Sequence, residues 1–276
     1  MELGGIHAIV TGGSSGIGLA TARLLVERGA RVSLVARDRG RLGDAQHDTG
    51  AVQTASLDVT DPDAVDTGFA RLTAAEGPCD LLVASAGAAQ PGYFETLDLA
   101  VFRAQMDLDY FGTLHCVRAV VPAMLGRGSG TIVGVSSGAA LIGVFGYSAY
   151  APAKYAVRGL MDTLRAELKP HGIHVACAYP PDTDTPGFVR ENETKPPETV
   201  AVSASIKVMP AAKVAARIVR GIEKDHADIT AEAQTAFLLR GGGLVSPVIE
   251  RVMAGQVRKA RDRSGSGSSG PIAGDP

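Results

Sequence analysis

Three side chains in one short stretch of the sequence have the chemistry of an acid–base site. Ser137, Tyr150 and Lys154 supply a hydroxyl, a phenol and an ammonium group. Tyr150 and Lys154 are four residues apart, so their side chains share a face if they lie on a helix. A cation one turn away favours the phenolate and lowers the phenol pKa from its usual value near ~10. Such a phenol can protonate a carbonyl oxygen as hydride reaches the carbon, or run the reverse reaction.

The alternative is that Tyr-x-x-x-Lys occurs by chance on an ordinary helix. The predicted elements around it distinguish an acid–base site from a chance pattern. Apolar runs alternate with helical spacing, which predicts an α/β fold: a Rossmann-type, doubly wound parallel sheet flanked by helices on both faces. Ligands bind such sheets at the carboxyl ends of the strands, where the candidate groups lie. The predicted strands are residues 6–10, 32–36, 52–58, 80–84, 130–136 and 173–179, and the predicted helices are 18–28, 62–75, 99–125, 149–169 and 210–224.

Length and composition predict one large domain. The 276 residues, 45% of them apolar, support a single domain over residues 1–262, followed by a flexible Ser/Gly-rich tail at 263–276. Residues 182–208 are interpreted as a flap over a pocket, with a plain surface loop as the alternative. The net charge of -2 and the lack of a long basic run argue against nucleic acid as a partner.

The expected location is cytoplasmic. The first predicted strand begins almost at the N-terminus, so no signal peptide is expected, and no apolar run approaches the ~20 residues of a membrane span. Three widely separated cysteines form neither a disulfide framework nor a metal site, and we predict no bound metal. They are interpreted as small buried hydrophobes in a reducing compartment: Cys79, Cys116 and Cys177.

A glycine-rich turn, Thr11-Gly-Gly-Ser-Ser-Gly-Ile-Gly18, follows the first predicted strand and opens the first helix. Glycines allow a sharp turn and let a pyrophosphate approach the backbone at a helix N-terminus. A simple strand–helix turn is the alternative. The cofactor contacts predicted here are Gly12, Ser14, Ser15, Gly16, Ile17 and Gly18.

The end of the second predicted strand favours NADPH/NADP+ over the unphosphorylated cofactor. A carboxylate there would bind the ribose 2′-hydroxyl and repel a 2′-phosphate. The chain instead has Ala36 followed by Arg37, and a guanidinium group matches phosphate in charge and geometry. A solvated Arg37 and a helix cap at Asp38 remain open alternatives.

Two further strand ends carry candidate cofactor contacts. Asp58, followed by Val59, closes the third predicted strand; Asp58 either accepts a hydrogen bond from an adenine amino group or caps the helix after Pro62. The fourth strand ends in small residues that include Ala86 and Gly87. These allow close approach of a ligand, or simply close packing.

With the glycine turn, Ala-Gly87 and the Ser137/Tyr150/Lys154 set in this order, residues 5 to 225 resemble the short-chain dehydrogenase/reductase family. The resemblance implies that the tyrosine is the general acid/base and that the serine orients the substrate oxygen. It implies that the lysine lowers the tyrosine pKa and binds the nicotinamide ribose, so Tyr150 and Lys154 also contact the cofactor. Residues after the sixth strand bind the nicotinamide amide in that family, which indicates Pro180, Thr183 and Thr185.

The chain departs from the family pattern at two places. Ala84-Ser85 stands where the family usually has Asn-Asn, and Asp109 stands where it usually has an asparagine. That asparagine helps to hold a water in a proton relay to the lysine. Asp109 accepts but does not donate when ionised, so either it pairs with Lys154 and retunes the relay or it slows catalysis.

A narrower likeness follows the sixth predicted strand. Residues 178–188 and 191–199 are similar to the same segments of the 3-ketodihydrosphingosine reductase family, which implies NADPH-dependent reduction of a long-chain sphingoid ketone. The partner expected is therefore a hydrophobic carbonyl compound. Other hydrophobic ketones or alcohols (3-oxoacyl, steroid or xenobiotic) are the first alternative, and a non-catalytic NADP-sensing module is the second.

The C-terminal region and the assembly state have two interpretations each. Residues 237–249 are apolar but short, so they either pack on the domain or lie at a membrane surface as a peripheral contact. The basic residues after them either meet anionic lipid or are solvated: Arg251, Arg258, Lys259, Arg261 and Arg263. The family resemblance implies a homodimer or homotetramer formed through helices 99–125 and 149–169.

Overall fold

The computed structural model describes residues 1–204 and 206–265. A seven-stranded sheet, parallel at every pairing, forms its centre in the order β3-β2-β1-β4-β5-β6-β9. The predicted doubly wound α/β fold is confirmed. The strands are β1 (His7–Thr11), β2 (Arg31–Ala36), β3 (Gln53–Ser56), β4 (Leu81–Ala84), β5 (Gly130–Val135), β6 (Ile173–Tyr179) and the edge strand β9 (Asp228–Thr230), which the sequence pattern did not predict.

Helices cover both faces of this sheet. One core layer joins the sheet to α1 (Gly16–Glu27), α2 (Arg39–Thr49) and α9 (Ala211–Glu223). The other layer joins it to α3 (Pro62–Glu76), α5 (Gly112–Arg127) and α6 (Tyr150–Leu168). Side chains alternate along each strand, so Val10 packs in the first layer and Ile9 in the second. Helix α2 was not predicted, because its residues lack an apolar stripe.

The predicted helical segment over residues 99–125 is confirmed, but it contains a π-helical turn that the sequence did not predict. The structure has α4 (Leu99–Gln105), a π-helical turn (Met106–Phe111) and then α5. Thr113 Oγ1 donates to the Asp109 carbonyl oxygen at 2.8 Å, while the Asp109 side chain is completely buried. The wider turn therefore directs a carboxylate into the interior, as π-helical turns at functional sites often do.

Residues beyond β6 form a separate small element beside the sheet. Two short strands, β7 (Thr183–Asp184) and β8 (Met209–Pro210), pair in parallel. The segment that joins them contains α7 (Pro186–Glu193) and α8 (Pro197–Ser203). Residues 182–208 are thus held at both ends by one strand pair. That they act as a flap stays a prediction.

The chain continues into a long helix, α10 (Ala233–Gly265). Leu238 and Leu239 pack against the second core layer, which supports packing for this part of the apolar segment, whereas Phe237 is exposed. None of the helices in the described ranges is both long and apolar enough to cross a membrane. The predicted tail begins inside this helix, and residues 266–276 lie outside the described residues.

Candidate functional site

The three acid–base residues meet at the carboxyl end of β5. Ser137 follows this strand, and its hydroxyl oxygen accepts a hydrogen bond from the Ala139 amide at 3.1 Å. Tyr150 is the first residue of α6, and Lys154 Nζ lies 5.6 Å from the centre of its ring. Ser136 Oγ donates to the Lys154 carbonyl oxygen at 2.8 Å, which ties the strand end to the helix.

Lys154 is buried and paired with Asp109. Its Nζ lies 3.1 Å from Asp109 Oδ1 and donates to the Val135 carbonyl oxygen at 3.2 Å. Burial is the largest single influence on Lys154 and disfavours its ammonium, but the Asp109 carboxylate and the Tyr150 phenol together outweigh it and raise the Lys154 pKa. Of the two alternatives for Asp109, pairing with the lysine is therefore the arrangement observed.

Asp109 is held from its other side as well. The Ala88 amide donates to Oδ1 at 3.2 Å, whereas Oδ2 is buried without a hydrogen-bond partner among the described residues. Burial raises the Asp109 pKa, and Lys154 opposes that shift. A Cβ atom on Gly87 would collide with Asp109 Oδ1, so a glycine is required for this close contact.

Several groups besides Lys154 affect the pKa of the Tyr150 phenol. Burial raises the Tyr150 pKa to about 12, and the Asp109 and Glu191 carboxylates add to that rise. The ammonium of Lys154 and the hydroxyl of Ser137 act in the opposite direction. The predicted effect of Lys154 on the Tyr150 pKa therefore has the right sign, but desolvation is larger and the pKa is raised overall.

The glycine turn has the geometry of a pyrophosphate cradle. Gly12 has a φ of +65°, and a Cβ there would lie 2.8 Å from the Ser85 carbonyl oxygen. A Cβ on Gly18 would collide with the Gly12 carbonyl oxygen. Ser15 caps α1 without a side-chain hydrogen bond, so amides at this helix N-terminus stay available to an anion. These residues fit a dinucleotide.

Arg37 and Asp58 face each other at the ends of β2 and β3. Arg37 Nη1 lies 3.6 Å from Asp58 Oδ2, and the Arg37 side chain is 70% exposed. Asp61, not Asp58, caps α3 through the Asp63 and Ala64 amides. The cap alternative for Asp58 is therefore wrong, whereas Asp38 does cap α2 by accepting from the Arg41 amide.

The residues after β6 contact both the segment that carries Ser137 and the glycine turn. The Pro180 carbonyl oxygen accepts from the Gly138 amide at 2.9 Å, beside Ser137. Thr183 Oγ1 donates to the Pro181 carbonyl oxygen at 2.7 Å, and Thr185 caps α7. The Thr185 side chain also lies against Gly16, because a Cβ there would be 3.0 Å from Thr185 Cγ2.

One cleft of about 460 Å³ connects these groups. Asp109 is the exception among the predicted site residues, since it lies behind Lys154 and does not line the cleft. The predicted residues that line it are Gly12, Ser14, Ser15, Gly16, Ile17, Gly18, Arg37, Asp58, Val59, Ala86, Gly87, Ser137, Tyr150, Lys154, Pro180, Thr183 and Thr185.

Sequence reasoning missed several residues that line the cleft. Arg41, in the first turn of α2, lines the cleft as Arg37 does; a second basic residue shortly after the strand end was the available signal. Tyr147 lies three residues before Tyr150, and Glu191 comes from α7. No local pattern distinguishes these two from ordinary core and helix residues.

The cleft also has an apolar part of its lining. These side chains are Ile142, Val144, Phe188, Ile206 and Leu238. A second cavity of about 610 Å³ shares Val144 and Tyr147 with the cleft. That cavity is walled by aromatic side chains, namely Tyr93, Phe94, Phe145 and Tyr155.

The fold and the site define a short-chain dehydrogenase. The short chain dehydrogenase family pattern matches residues 6–196, and the chain belongs to this family. It is an oxidoreductase acting on CH–OH or C=O groups. A solved short-chain dehydrogenase from Streptomyces avermitilis superposes with a TM-score of 0.76 at 29% identity, covering 95% of this chain and 98% of the other.

Two relatives narrow the comparison further. The chain is 42% identical over 229 residues to a 3-dehydrosphinganine reductase of Danio rerio, covering 80% of this chain and 69% of the relative. It is 40% identical over 256 residues to a 3-ketodihydrosphingosine reductase of Dictyostelium discoideum, covering 85% of this chain and 77% of the relative.

Proposed function

We propose that this protein reduces a long-chain sphingoid 3-ketone to the secondary alcohol with NADPH. The observation that carries the proposal is the Ser137–Tyr150–Lys154 arrangement at the junction of a dinucleotide cradle and an apolar pocket. The similarity to 3-ketodihydrosphingosine reductases supports the substrate class.

The bound cofactor supplies hydride, and the chain's own residues manage the oxygen and its proton. Ser137 orients the substrate carbonyl, and the Tyr150 phenol donates the proton to its oxygen. Lys154 holds a positive charge behind the phenol, which stabilises the phenolate left after transfer. Because Asp109 fixes the Lys154 ammonium at 3.1 Å, that charge needs no rearrangement during the reaction.

The Arg37 guanidinium supports a preference for the phosphorylated cofactor. Asp58 lies 3.6 Å from this guanidinium, and a second cation, Arg41 of α2, lines the same cleft. Replacing Arg37 with Ala should raise the NADPH dissociation constant about tenfold and leave that of NADH nearly unchanged. Equal weakening of both would remove this argument.

The apolar cavities support a long alkyl chain. The second cavity shares Val144 and Tyr147 with the cleft, and we assign it to methylene groups beyond the reacting carbon. Each buried methylene contributes about 0.8 kcal/mol, so kcat/KM should rise along a series of 3-keto substrates of increasing chain length. A flat series would contradict the assignment of these cavities.

The decisive assay follows NADPH oxidation with 3-ketodihydrosphingosine and with a 3-oxoacyl thioester. We expect turnover of the sphingoid ketone, and preference for the thioester would overturn the substrate proposal. Tyr150→Phe should lose most of the activity and keep NADPH affinity. Tyr110→Phe is the matched control, because Tyr110 lies outside the lining of both cavities. Unchanged turnover in Tyr150→Phe would overturn the mechanism.

Membrane contact through α10 and a dimeric or tetrameric state belong to the same proposal. Exposed Phe237 and the basic residues Arg251, Arg258 and Lys259 occur on this helix, and they support a peripheral contact with anionic lipid. Vesicle co-sedimentation tests the contact, and equilibrium sedimentation tests the assembly state.

A further inference from the structure

A carboxylate on α7 is held in place in the wall of the catalytic cleft. The Tyr147 hydroxyl donates to Glu191 Oε1, and Lys195 Nζ lies 2.9 Å from the same oxygen. The Lys195 side chain is only 2% exposed, and its Nζ lies 4.3 Å from the centre of the Phe188 ring. The buried Lys195 ammonium and the Tyr147 hydroxyl therefore hold the Glu191 carboxylate in one orientation.

One oxygen of this carboxylate remains available. Both contacts use Oε1, and within the described part of the chain no hydrogen bond reaches Oε2. Glu191 lines the cleft, and 15% of its side chain is exposed. A role restricted to fixing α7 would not need the carboxylate to border the cleft.

Glu191 is close enough to the reacting phenol to influence it. The ring centres of Tyr147 and Tyr150 are 5.8 Å apart, so the hydroxyl partner of Glu191 packs directly beside the proton donor. The negative charge of Glu191 also contributes to the raised pKa of Tyr150, after burial and the nearer charges of Lys154 and Asp109.

The surroundings of Glu191 carry more negative than positive charge. Asp182 and Glu232 also line the cleft, and Lys195 is the neighbouring cation for Glu191 and Asp182. Of the other cations, Lys154 is already paired with Asp109, and Arg190 lines the cleft from an exposed position on α7. This end of the cleft favours a cationic ligand group.

We propose that Glu191 binds a primary ammonium group on the carbon next to the reacting carbonyl, so that the cleft selects 2-amino ketones. This inference rests on the proposed function, because a sphingoid 3-ketone carries its amino group on that neighbouring carbon. The Glu191–Lys195 pair fixes the carboxylate, and Oε2 accepts from the ammonium. The bound ammonium group then places the neighbouring carbonyl group against the Tyr150 hydroxyl.

The test compares two ketones of equal chain length, 3-ketodihydrosphingosine and its analogue without the amino group. The wild type should prefer the amino ketone about ten- to hundredfold in kcat/KM, the value of a hydrogen bond between charged groups. Glu191→Gln should lose that preference, mainly through a higher KM for the amino ketone. Because the Glu191 charge also acts on Tyr150, both ketones are compared at a pH well below the Tyr150 pKa, where the phenol is protonated in either enzyme.

Glu193→Gln is the matched control, because Glu193 lies exposed on the same helix; it should behave as the wild type. Equal losses on both ketones in Glu191→Gln, or no preference in the wild type, would overturn the inference. Binding of the aminodiol product and its deaminated analogue is measured by calorimetry with NADPH present. If neither ketone turns over, the proposed function fails, and binding alone decides the inference: equal affinities for the two alcohols would overturn it.

Discussion

Replacing Asp109 with asparagine removes the buried negative charge behind the catalytic pair and keeps the side-chain shape. The amide oxygen of the substituted side chain can still accept from the Ala88 amide and from Lys154, which are the partners of Asp109 Oδ1. The substitution therefore isolates the charge. Because the Asp109 carboxylate contributes to the raised pKa of Tyr150, its removal should lower that pKa.

The structure bounds the size of this shift. Asp109 Oδ1 lies 3.1 Å from Lys154 Nζ, which lies 5.6 Å from the centre of the Tyr150 ring, so the carboxylate oxygen is within about 9 Å of that centre. At an effective dielectric constant of ~20, two charges at that separation interact by about 2 kcal/mol. The Tyr150 pKa should therefore fall by about one unit.

The assay is the pH dependence of alcohol oxidation with NADP+. Tyr150 must be deprotonated to accept the alcohol proton, so activity rises as pH increases through its pKa. A lower pKa moves that rise to lower pH in Asp109→Asn. Ketone reduction needs the protonated phenol, so its rate falls as pH rises through the Tyr150 pKa. In Asp109→Asn this fall should occur at a lower pH than in the wild type. Ultraviolet difference titration of the phenolate measures the pKa without turnover.

The control is Asp107→Asn, because Asp107 lies exposed in the same π-helical turn, and its pH profile should match the wild type. A profile of Asp109→Asn that stays in place or moves to higher pH would refute the reasoning. Either result would mean that Lys154 loses its proton once Asp109 is gone, so that the pair acts as one unit.

Three further predictions concern stability, the glycine turn and thiol reactivity. Lys154→Met leaves Asp109 as an unpaired buried charge and should lower the free energy of unfolding in urea by about 3–5 kcal/mol. If the double variant Lys154→Met/Asp109→Asn recovers none of that free energy, the broken ion pair is not the cause of the loss. Gly18→Ala should abolish NADPH binding by collision with the Gly12 carbonyl, whereas Gly43→Ala, in open space on α2, should keep binding and stabilise the helix by about 0.5–1 kcal/mol. Burial raises the pKa of all three thiols to about 12, so native protein at pH 8 should resist alkylation that denatured protein undergoes, and rapid labelling would contradict the buried positions of Cys79, Cys116 and Cys177.

The sequence by itself determined the features that depend on local pattern. Strand–helix alternation predicted the doubly wound sheet, because strands buried on both faces read as continuous apolar runs. The glycine turn was recognisable because few other residues permit its backbone. The spacing of Tyr150 and Lys154 predicted a shared helix face because the helical repeat places them there.

Other features were decided only by the tertiary structure. The net pKa of Tyr150 depends on burial, which no spacing reveals and which outweighs the nearby Lys154. The π-helical turn that carries Asp109 inward breaks a segment with an ordinary helical pattern. Glu191 reaches Tyr147 across 44 residues of sequence, because the strand pair β7–β8 holds α7 beside the cleft. These are long-range contacts, and their free energies depend on desolvation and packing that a local pattern does not contain.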